Sequence, residues 1–341
     1  MKERIRELDA LRGIAALLVV MFHYTMLHES SQDGWVLGVT GVDLFFIISG
    51  FVIFMSIEKI KTPQEFLQRR FFRLFPVYWT VVTFTAILTY FNLAEMINVT
   101  ELTTSRYLSN LTMFQELLGV QSLDGPYWTL LVEMQFYVIV GIALMTRRIK
   151  VVLIICSLFL GFLLFNELVM QPISAVWFKW LFLKADHWAP IVMRTPYFLA
   201  GILFYKMYKK EGNWMTIVGI ITCYITALLI FQSIGPAKSY IALPQYIFTT
   251  SIYFGAFILF LNNKLKFIVS PTTLFFGRIS YSLYLIHQFL GINLIMPYLE
   301  KHYETPYIQG TLISLVVSIF LAFLIMKFVE EPSIRYYRRK K

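Results

Sequence analysis

The stretch "LDALRGIAALLVVMFHYTM", residues 8–26, has the length and apolar composition of a membrane-spanning helix, yet it contains Arg12 and His23. Successive helical residues are rotated by about 100°, so these two side chains lie on nearly the same face, about 16 Å apart along the axis. An ionisable side chain inside a membrane is energetically costly and is a candidate for function. The stretch therefore predicts a membrane helix with two functional groups on one face.

The composition of the whole chain agrees with a membrane protein. Of its 341 residues, 58% are hydrophobic and 15% are charged, whereas about a quarter of the residues in a soluble domain are charged. Apolar runs of near twenty residues recur along the chain, which is typical of a polytopic helical protein in a lipid bilayer. The net charge of +10 could indicate a nucleic-acid partner, but the charges lie between the apolar runs, so we expect none. The two cysteines predict neither a disulfide framework nor a metal site.

We predict an all-α fold, a bundle of about ten transmembrane helices. Residues 1–341 are expected to form a single membrane domain, with no appended soluble domain. The predicted spans are residues 9–27, 38–57, 74–93, 127–146, 151–165, 192–208, 214–232, 245–263, 274–297 and 308–328. The fifth span is short, and the sequence leaves open whether residues 166–191 re-enter the membrane.

The distribution of basic residues predicts the orientation. With the N-terminus in the cytoplasm, 24 of the 30 Lys and Arg residues fall in cytoplasmic segments, as the positive-inside rule requires. The six on the other side are Arg106, Lys179, Lys184, Arg194, Lys238 and Lys301. An odd number of spans would place the basic C-terminal tail on the wrong side, so we predict an even number with both termini cytoplasmic.

Two carboxylates are predicted at the depth of His23. The antiparallel second span places Asp43 at this level, and Glu133 in the fourth span is expected within about 3 Å of His23 in depth. A histidine with a carboxylate partner can act as a general base near neutral pH. The spacing leaves an alternative open for all three residues, because buried polar pairs often only hold helices together.

Five stretches, taken in order, resemble the motifs of the acyltransferase 3 family of integral membrane acyltransferases. They are "RGIAALLVVMFHY" (12–24), "GVDLFFIISGF" (41–51), "RRFFRLFPVYW" (69–79), "YWTLLVEMQFY" (127–137) and "GRISYSLYLIHQ" (277–288). A layout of ten helices is also what this resemblance implies.

The resemblance implies transfer of an acyl group, most often acetyl, from cytoplasmic acyl-CoA to hydroxyls of surface or lipid-linked glycans such as O-antigen lipopolysaccharide or exopolysaccharide. Acetyl-CoA would be a donor substrate, with no bound cofactor. The implied location is a bacterial inner membrane. Some relatives carry an extracytoplasmic hydrolase-like domain. We expect none after the tenth span here, so that the membrane domain would act alone or with a separate partner.

Arginines near the cytoplasmic face are the candidate donor site. Arg70 and Arg73 are three residues apart on one helical face, and arginine binds phosphate through planar, bidentate hydrogen bonds. With the resemblance, we assign both to the CoA donor and interpret Arg69 as a topological charge; the alternative is contact with anionic lipid. Arg12 either holds donor phosphate or polarises the thioester, or it is an interfacial anchor.

Three further residues are candidate substrate contacts. The fourth motif favours Trp128 for the site, whereas Tyr127 fits an interfacial aromatic belt. Tyr284 and His287 share a helical face with Ser280, and they are either packing residues or part of the acyl path.

Two classes of function remain open at this point. The first is a membrane O-acyltransferase in which His23, held by Glu133 or Asp43, deprotonates the acceptor hydroxyl. The second is a proton-coupled secondary transporter, since buried His, Asp and Glu also form proton relays. Transporters often contain repeats with interrupted helices, and this sequence shows no such pairing.

Overall fold

The computed structural model describes residues 5–26, 34–58, 60, 62–91, 102–173, 176–233, 235 and 237–339. Within these residues the fold is all-α, as predicted, with no strand. The helices are α1 (Arg6–Thr25), α2 (Gly41–Ile57), α3 (Pro63–Tyr90), α4 (Thr104–Asn110), α5 (Trp128–Met145), α6 (Lys150–Phe165), α7 (Val176–Trp188), α8 (Ile191–Tyr208), α9 (Trp214–Leu229), α10 (Leu243–Leu261), α11 (Pro271–Gln288), α12 (Met296–Tyr303), α13 (Tyr307–Ile325) and α14 (Glu331–Arg339).

Short 3₁₀ and π segments extend several helices. Helix α2 is preceded by Val36–Thr40 and α5 by Gly125–Tyr127, both in 3₁₀ conformation. The π turns Asn166–Met170, Phe289–Ile295 and Met326–Glu330 continue α6, α11 and α13. The fifth predicted span is therefore longer than expected, because α6 and its π turn together cover Lys150–Met170.

Nine helical segments of the described chain are long and apolar enough to cross a membrane, and they match nine of the ten predicted spans. The remaining predicted span, 192–208, corresponds to α8, which is not among the nine. Helix α8 contains Arg194 and Lys206, and most of its residues are buried inside the bundle. A helix enclosed by other helices can carry such charges without exposing them to lipid.

The direction of the helices indicates that α8 also crosses the bundle. Helices α1 and α11 are parallel, because Asp9 lies against Gly277 near the start of both and Tyr24 lies against Gly291 beyond them. If α8 did not cross, the chain would enter α11 from the opposite face and α11 would run antiparallel to α1. The packing therefore supports ten crossings.

The two ends of the described chain lie on the same face of the bundle. Ile5 and Arg335 line one cavity there, and the Ser333 hydroxyl donates to the carbonyl oxygen of Phe72 at 2.6 Å. An even number of crossings requires this arrangement. That this face is cytoplasmic remains a prediction from the charge distribution.

Helices α2 and α8 approach closely through two glycines. A Cβ atom on Gly50 would lie 2.1 Å from the carbonyl oxygen of Phe198, and one on Gly201 would lie 2.1 Å from that of Ile47. Small residues allow helix backbones in membranes to come this close. The contact fixes α8, and with it Arg194, against the helix that carries Asp43.

We predict that Gly201→Val lowers the stability of the folded protein, because the new side chain collides with backbone atoms that cannot move away. Overpacking of a tight core costs about 1–3 kcal/mol. The measurement is the midpoint of thermal unfolding of the purified protein in detergent. Gly161→Val is the matched control, since a Cβ atom at Gly161 meets nothing within 4 Å. Equal midpoints for the two variants would contradict the close α2–α8 contact.

Candidate active site

A cavity of about 750 Å³ opens on the face that carries both chain ends. We call it the arginine cavity, because its walls include Arg12, Arg69, Arg70, Arg73, Arg278, Arg335 and Arg338. The acidic residues Asp9, Glu330 and Glu331 also line it. Seven arginines against three carboxylates make the cavity suited to an anionic ligand with several phosphate groups.

Arg70 is held rigidly in the wall of this cavity. Its side chain is buried, with 8% of the residue exposed, and it donates to the Ser56 hydroxyl at 2.8 Å. The guanidinium lies 5.4 Å from the ring centre of Phe66 and 5.5 Å from that of Tyr137. These cation–π contacts and the hydrogen bond orient the guanidinium before any ligand arrives.

Arg69 differs from Arg70 in its partner. It forms an ion pair of 2.6 Å with Glu65, one helical turn earlier, and 39% of its side chain is exposed. A partly exposed pair of this kind contributes little to stability. The geometry is compatible with the topological role expected for Arg69.

A second pocket, of about 220 Å³, lies near the other end of α1. We call it the histidine pocket. Its wall includes His23, Asp43, Trp128, Arg194, Tyr240, Tyr246, Tyr284 and Gln288. The structure therefore brings together four of the predicted site residues, which come from α1, α2, α5 and α11.

Glu133 is not part of the wall of the histidine pocket. Its Oε1 atom accepts a hydrogen bond from the Tyr137 hydroxyl, and it is one of the charged neighbours of Arg12. The sequence argument placed Glu133 level with His23, but Trp128 already occupies that level. Five residues further along α5, Glu133 lies about 7.5 Å closer to the arginine cavity. The expected contact between Glu133 and His23 is therefore not formed.

Asp43 faces an arginine that the sequence analysis did not assign to the site. Its Oδ1 atom lies 3.9 Å from Nη1 of Arg194, and the Arg194 guanidinium lies 5.2 Å from the ring centre of Trp128. An arginine inside a predicted span, here the third residue of 192–208, was itself a signal of function. Asp43 thus shares the pocket with His23 while its ionic partner is Arg194.

The partner of His23 is a second histidine. Nδ1 of His23 lies 2.9 Å from the carbonyl oxygen of Val19 and 3.1 Å from Nε2 of His287. His287 is completely buried, and its Nδ1 lies 2.8 Å from the carbonyl oxygen of Tyr284. His287, predicted as a substrate contact, instead touches the candidate base.

This hydrogen-bond pattern assigns the proton positions on both rings. A carbonyl oxygen only accepts, so Nδ1 of His287 carries the hydrogen and its Nε2 is an acceptor in the neutral ring. Nδ1 of His23 then donates to Nε2 of His287 and to Val19. The free lone pair of the His23 ring is therefore on Nε2. A general base at this position needs this tautomer, with the hydrogen on Nδ1.

Two tyrosines hold the histidine pair and the pocket wall in place. The Tyr24 hydroxyl donates to the carbonyl oxygen of His287 at 2.9 Å. The Tyr284 hydroxyl lies 2.8 Å from that of Thr129 and 3.2 Å from the carbonyl oxygen of Pro126. Tyr284 thus lines the pocket and also fixes α11 against the start of α5.

Asp124 is a buried carboxylate beside the histidine pocket that the sequence analysis missed. Its carboxylate accepts from the backbone N–H of Gly125 at 2.9 Å and of Phe289 at 3.1 Å. Burial raises the pKa of Asp124 to about 7. The sequence feature that could have identified Asp124 is its position directly before a helical turn, where aspartate often caps helices. Asp124 joins the segment before α5 to the end of α11, close to Trp128.

No cluster of three or more metal-ligating His, Cys, Asp or Glu side chains occurs among the residues that the structure describes. The groups available for chemistry are an arginine-lined cavity at one end of α1 and an imidazole with a free lone pair near the other end. Arg12 and His23 connect these two places along a single helix.

Comparison with known proteins identifies the family. The model of the acyltransferase 3 family, described as "Acyltransferase domain", matches residues 5–327. The chain is 25% identical to "Exopolysaccharide production protein ExoZ" of Rhizobium meliloti (strain 1021), over 77% of this chain and 80% of that protein. It is 26% identical to "Putative O-acetyltransferase SACOL0978" of Staphylococcus aureus (strain COL), over 95% of this chain and 56% of that protein.

A third relative is "Putative acetyltransferase ORF330" of Acidianus two-tailed virus, 20% identical over 83% of each chain. No solved structure matched the chain. These relatives support acyl transfer and do not favour the transporter alternative. The family match covers nearly the whole chain and agrees with its apolar helices. The chain therefore belongs to the acyltransferase 3 family and is a multi-pass integral membrane acyltransferase.

Proposed function

We propose that this acyltransferase moves an acetyl group from cytoplasmic acetyl-CoA to a hydroxyl of a surface or lipid-linked glycan, in a bacterial inner membrane. The observation that carries the proposal is the course of α1. It places Arg12 in the wall of the arginine cavity and His23 in the wall of the histidine pocket. One helix thus links a site for an anionic donor with a site for a base.

The donor would bind in the arginine cavity. Coenzyme A carries a pyrophosphate and a ribose phosphate, and arginine pairs with phosphate through two parallel hydrogen bonds. Arg70, fixed by Ser56 and two aromatic rings, and Arg73 beside it would hold the pyrophosphate. Arg12 lies deeper along α1, where it would hold donor phosphate at the start of the pantetheine arm. This arm would then extend toward His23, about 16 Å along the helix axis, and place the thioester beside it.

The acceptor would enter the histidine pocket. Aromatic side chains and a few polar groups are the usual lining of a small-molecule site, and here they are Trp128, Tyr240, Tyr246 and Gln288. The small volume suits a terminal portion of a glycan more than a large polymer segment. The name of the Rhizobium relative refers to exopolysaccharide production, which supports a polysaccharide acceptor here.

The proposed chemistry uses His23 as the base. Nε2 of His23 takes the proton of the acceptor hydroxyl while its oxygen forms a bond to the thioester carbonyl carbon. The carbon–sulfur bond then breaks, and the proton passes from His23 to the departing CoA thiolate. His287 holds the His23 ring in the required tautomer through the 3.1 Å contact. The proposal assigns Glu133 to the region between base and donor, and Asp43 to the acceptor pocket.

We predict that His23→Ala abolishes transfer while acetyl-CoA binding is retained. Loss of a general base lowers rates by about 10²–10⁴-fold, and alanine is easier to bury than histidine, so the protein should still fold. Transfer of radiolabelled acetyl from acetyl-CoA to candidate glycans by purified protein measures the first effect. Normal turnover by monodisperse His23→Ala protein would show that His23 is only a packing residue.

The donor arginines should behave in the opposite way. Arg70→Ala and Arg73→Ala each remove a charge-assisted hydrogen bond, which lowers acetyl-CoA affinity about ten- to a hundred-fold. Arg69→Ala is the comparison, because Arg69 is already paired with Glu65, and its effect should be smaller. Isothermal titration with acetyl-CoA gives the affinities. Unchanged affinity in a folded Arg70→Ala/Arg73→Ala protein would mean that these residues serve topology.

A separate prediction concerns the histidine pair. His287→Ala removes the acceptor for Nδ1 of His23, so kcat should fall about tenfold or more with little change in acetyl-CoA affinity. His287→Gln offers a side-chain oxygen to Nδ1 of His23 and should restore part of the activity. If His287→Gln and His287→Ala are equally impaired, or neither is, the positioning role of His287 is refuted.

A further inference from the structure

We infer that α14 and the cytoplasmic end of α11 form a second phosphate site at the mouth of the arginine cavity, and that it binds the 3′-phosphate of the coenzyme A nucleotide. The inference rests on the proposed donor. It concerns Arg278 and Arg338, which belong to neither of the arginine motifs near the start of α1 and α3.

The arginines of the cavity form two groups that differ in depth. Arg70 is buried, and Arg12 and Arg73 are partly buried. Arg278, Arg335 and Arg338 are exposed, yet they line the same cavity. The second group therefore lies at the mouth. Coenzyme A has a matching division, because its pyrophosphate is separated from the 3′-phosphate by the adenosine ribose.

Arg278 and Arg338 differ from Arg335 in their ion pairing. Neither has an ion-pair partner among the residues that the structure describes, whereas Arg335 pairs with Glu331 at 2.6 Å. Arg278 and Arg338 carry like charges and line one cavity, and an anion bound between like charges offsets their repulsion. A phosphate monoester carries the charge and the oxygen acceptors to bind both.

Helix α14 is fixed in position at this mouth. The Ser333 hydroxyl donates to the carbonyl oxygen of Phe72 at 2.6 Å, and the Tyr337 ring stacks on Phe72 with ring centres 5.4 Å apart. Helix α14 follows α13 without a break through the π turn Met326–Glu330. Arg338 is thus presented from a helix anchored on α3, the helix that carries Arg70.

The same chemistry would also suit the phosphate of an anionic lipid headgroup. The 3′-phosphate is favoured because both arginines face the cavity in which Arg70 is preorganised, and not only the outer surface. The experiment must separate these two sources of phosphate.

The test compares the binding of acetyl-CoA and of acetyl-3′-dephospho-CoA to the full-length protein in nanodiscs of neutral phosphatidylcholine. The unmodified protein should bind acetyl-CoA more tightly. In Arg278→Ala/Arg338→Ala, acetyl-CoA affinity should fall about tenfold or more, while affinity for the dephospho compound stays the same. Arg339→Ala is the matched control, since Arg339 is exposed on the same helix but does not line the cavity.

Each outcome bears on the inference. Loss of preference for the 3′-phosphate in the double variant, but not in Arg339→Ala, supports it. Equal loss of affinity for both compounds, or no loss, overturns it while the donor proposal stands. Unchanged acetyl-CoA binding together with weaker binding to phosphatidylglycerol vesicles would assign the arginines to lipid and also overturn it.

Failure of the folded, unmodified protein to bind acetyl-CoA would overturn the donor proposal and this inference together. Arg338→Lys keeps the positive charge, so it should retain part of the preference for acetyl-CoA over the dephospho compound. Such retention would show that α14 is still folded when Arg338 is replaced.

Discussion

The close parallel packing of α1 against α11 is the contact on which the candidate active site depends. A Cβ atom on Gly277 would lie 2.0 Å from the carbonyl oxygen of Asp9, and one on Gly13 would lie 2.4 Å from that of Thr273. At the other end, a Cβ atom on Gly291 would lie 2.2 Å from the ring of Tyr24. These three glycines allow the helices to lie side by side in one register. That register brings His23 to His287, and a shift by one helical turn, about 5.4 Å, would separate them.

The polar groups inside the bundle illustrate how a membrane protein can retain ionisable side chains. Asp43 has Arg194, and Arg70 has a hydroxyl and two aromatic rings. Breaking a buried pair by removing one partner is strongly destabilising, because the remaining charge is uncompensated. His23 differs from Asp43 and Arg70, because a pair of neutral imidazole rings needs no counter-charge. The candidate base can thus lie inside the bundle without a further buried ion.

Much of the fold could be predicted from the sequence, because lipid exposure imposes a simple rule on composition. Nine spans follow from apolar length alone, and the positions of Asp43, Trp128 and Tyr284 beside His23 follow from helix geometry and motif. Helix α8 is less apolar because its surroundings are protein. The depth of Glu133 was misjudged because Trp128, near the end of the predicted span, lies at the level of His23, and Glu133 lies five residues further along the helix. No local pattern could reveal the contact between His23 and His287, which are separated by 264 positions, or the pairing of Asp43 with Arg194.

The central claim is that one donor molecule extends along α1 from the arginine cavity to His23. The most direct measurement is a structure of the protein with a non-hydrolysable acetyl-CoA analogue in which a methylene group replaces the thioester sulfur. The account predicts nucleotide phosphates on Arg70 and Arg73. It also predicts the acetyl carbonyl carbon within about 3–3.5 Å of where an acceptor oxygen bound to Nε2 of His23 would lie. An acetyl group that remains in the arginine cavity, or a nucleotide bound on the face of the histidine pocket, would contradict the account.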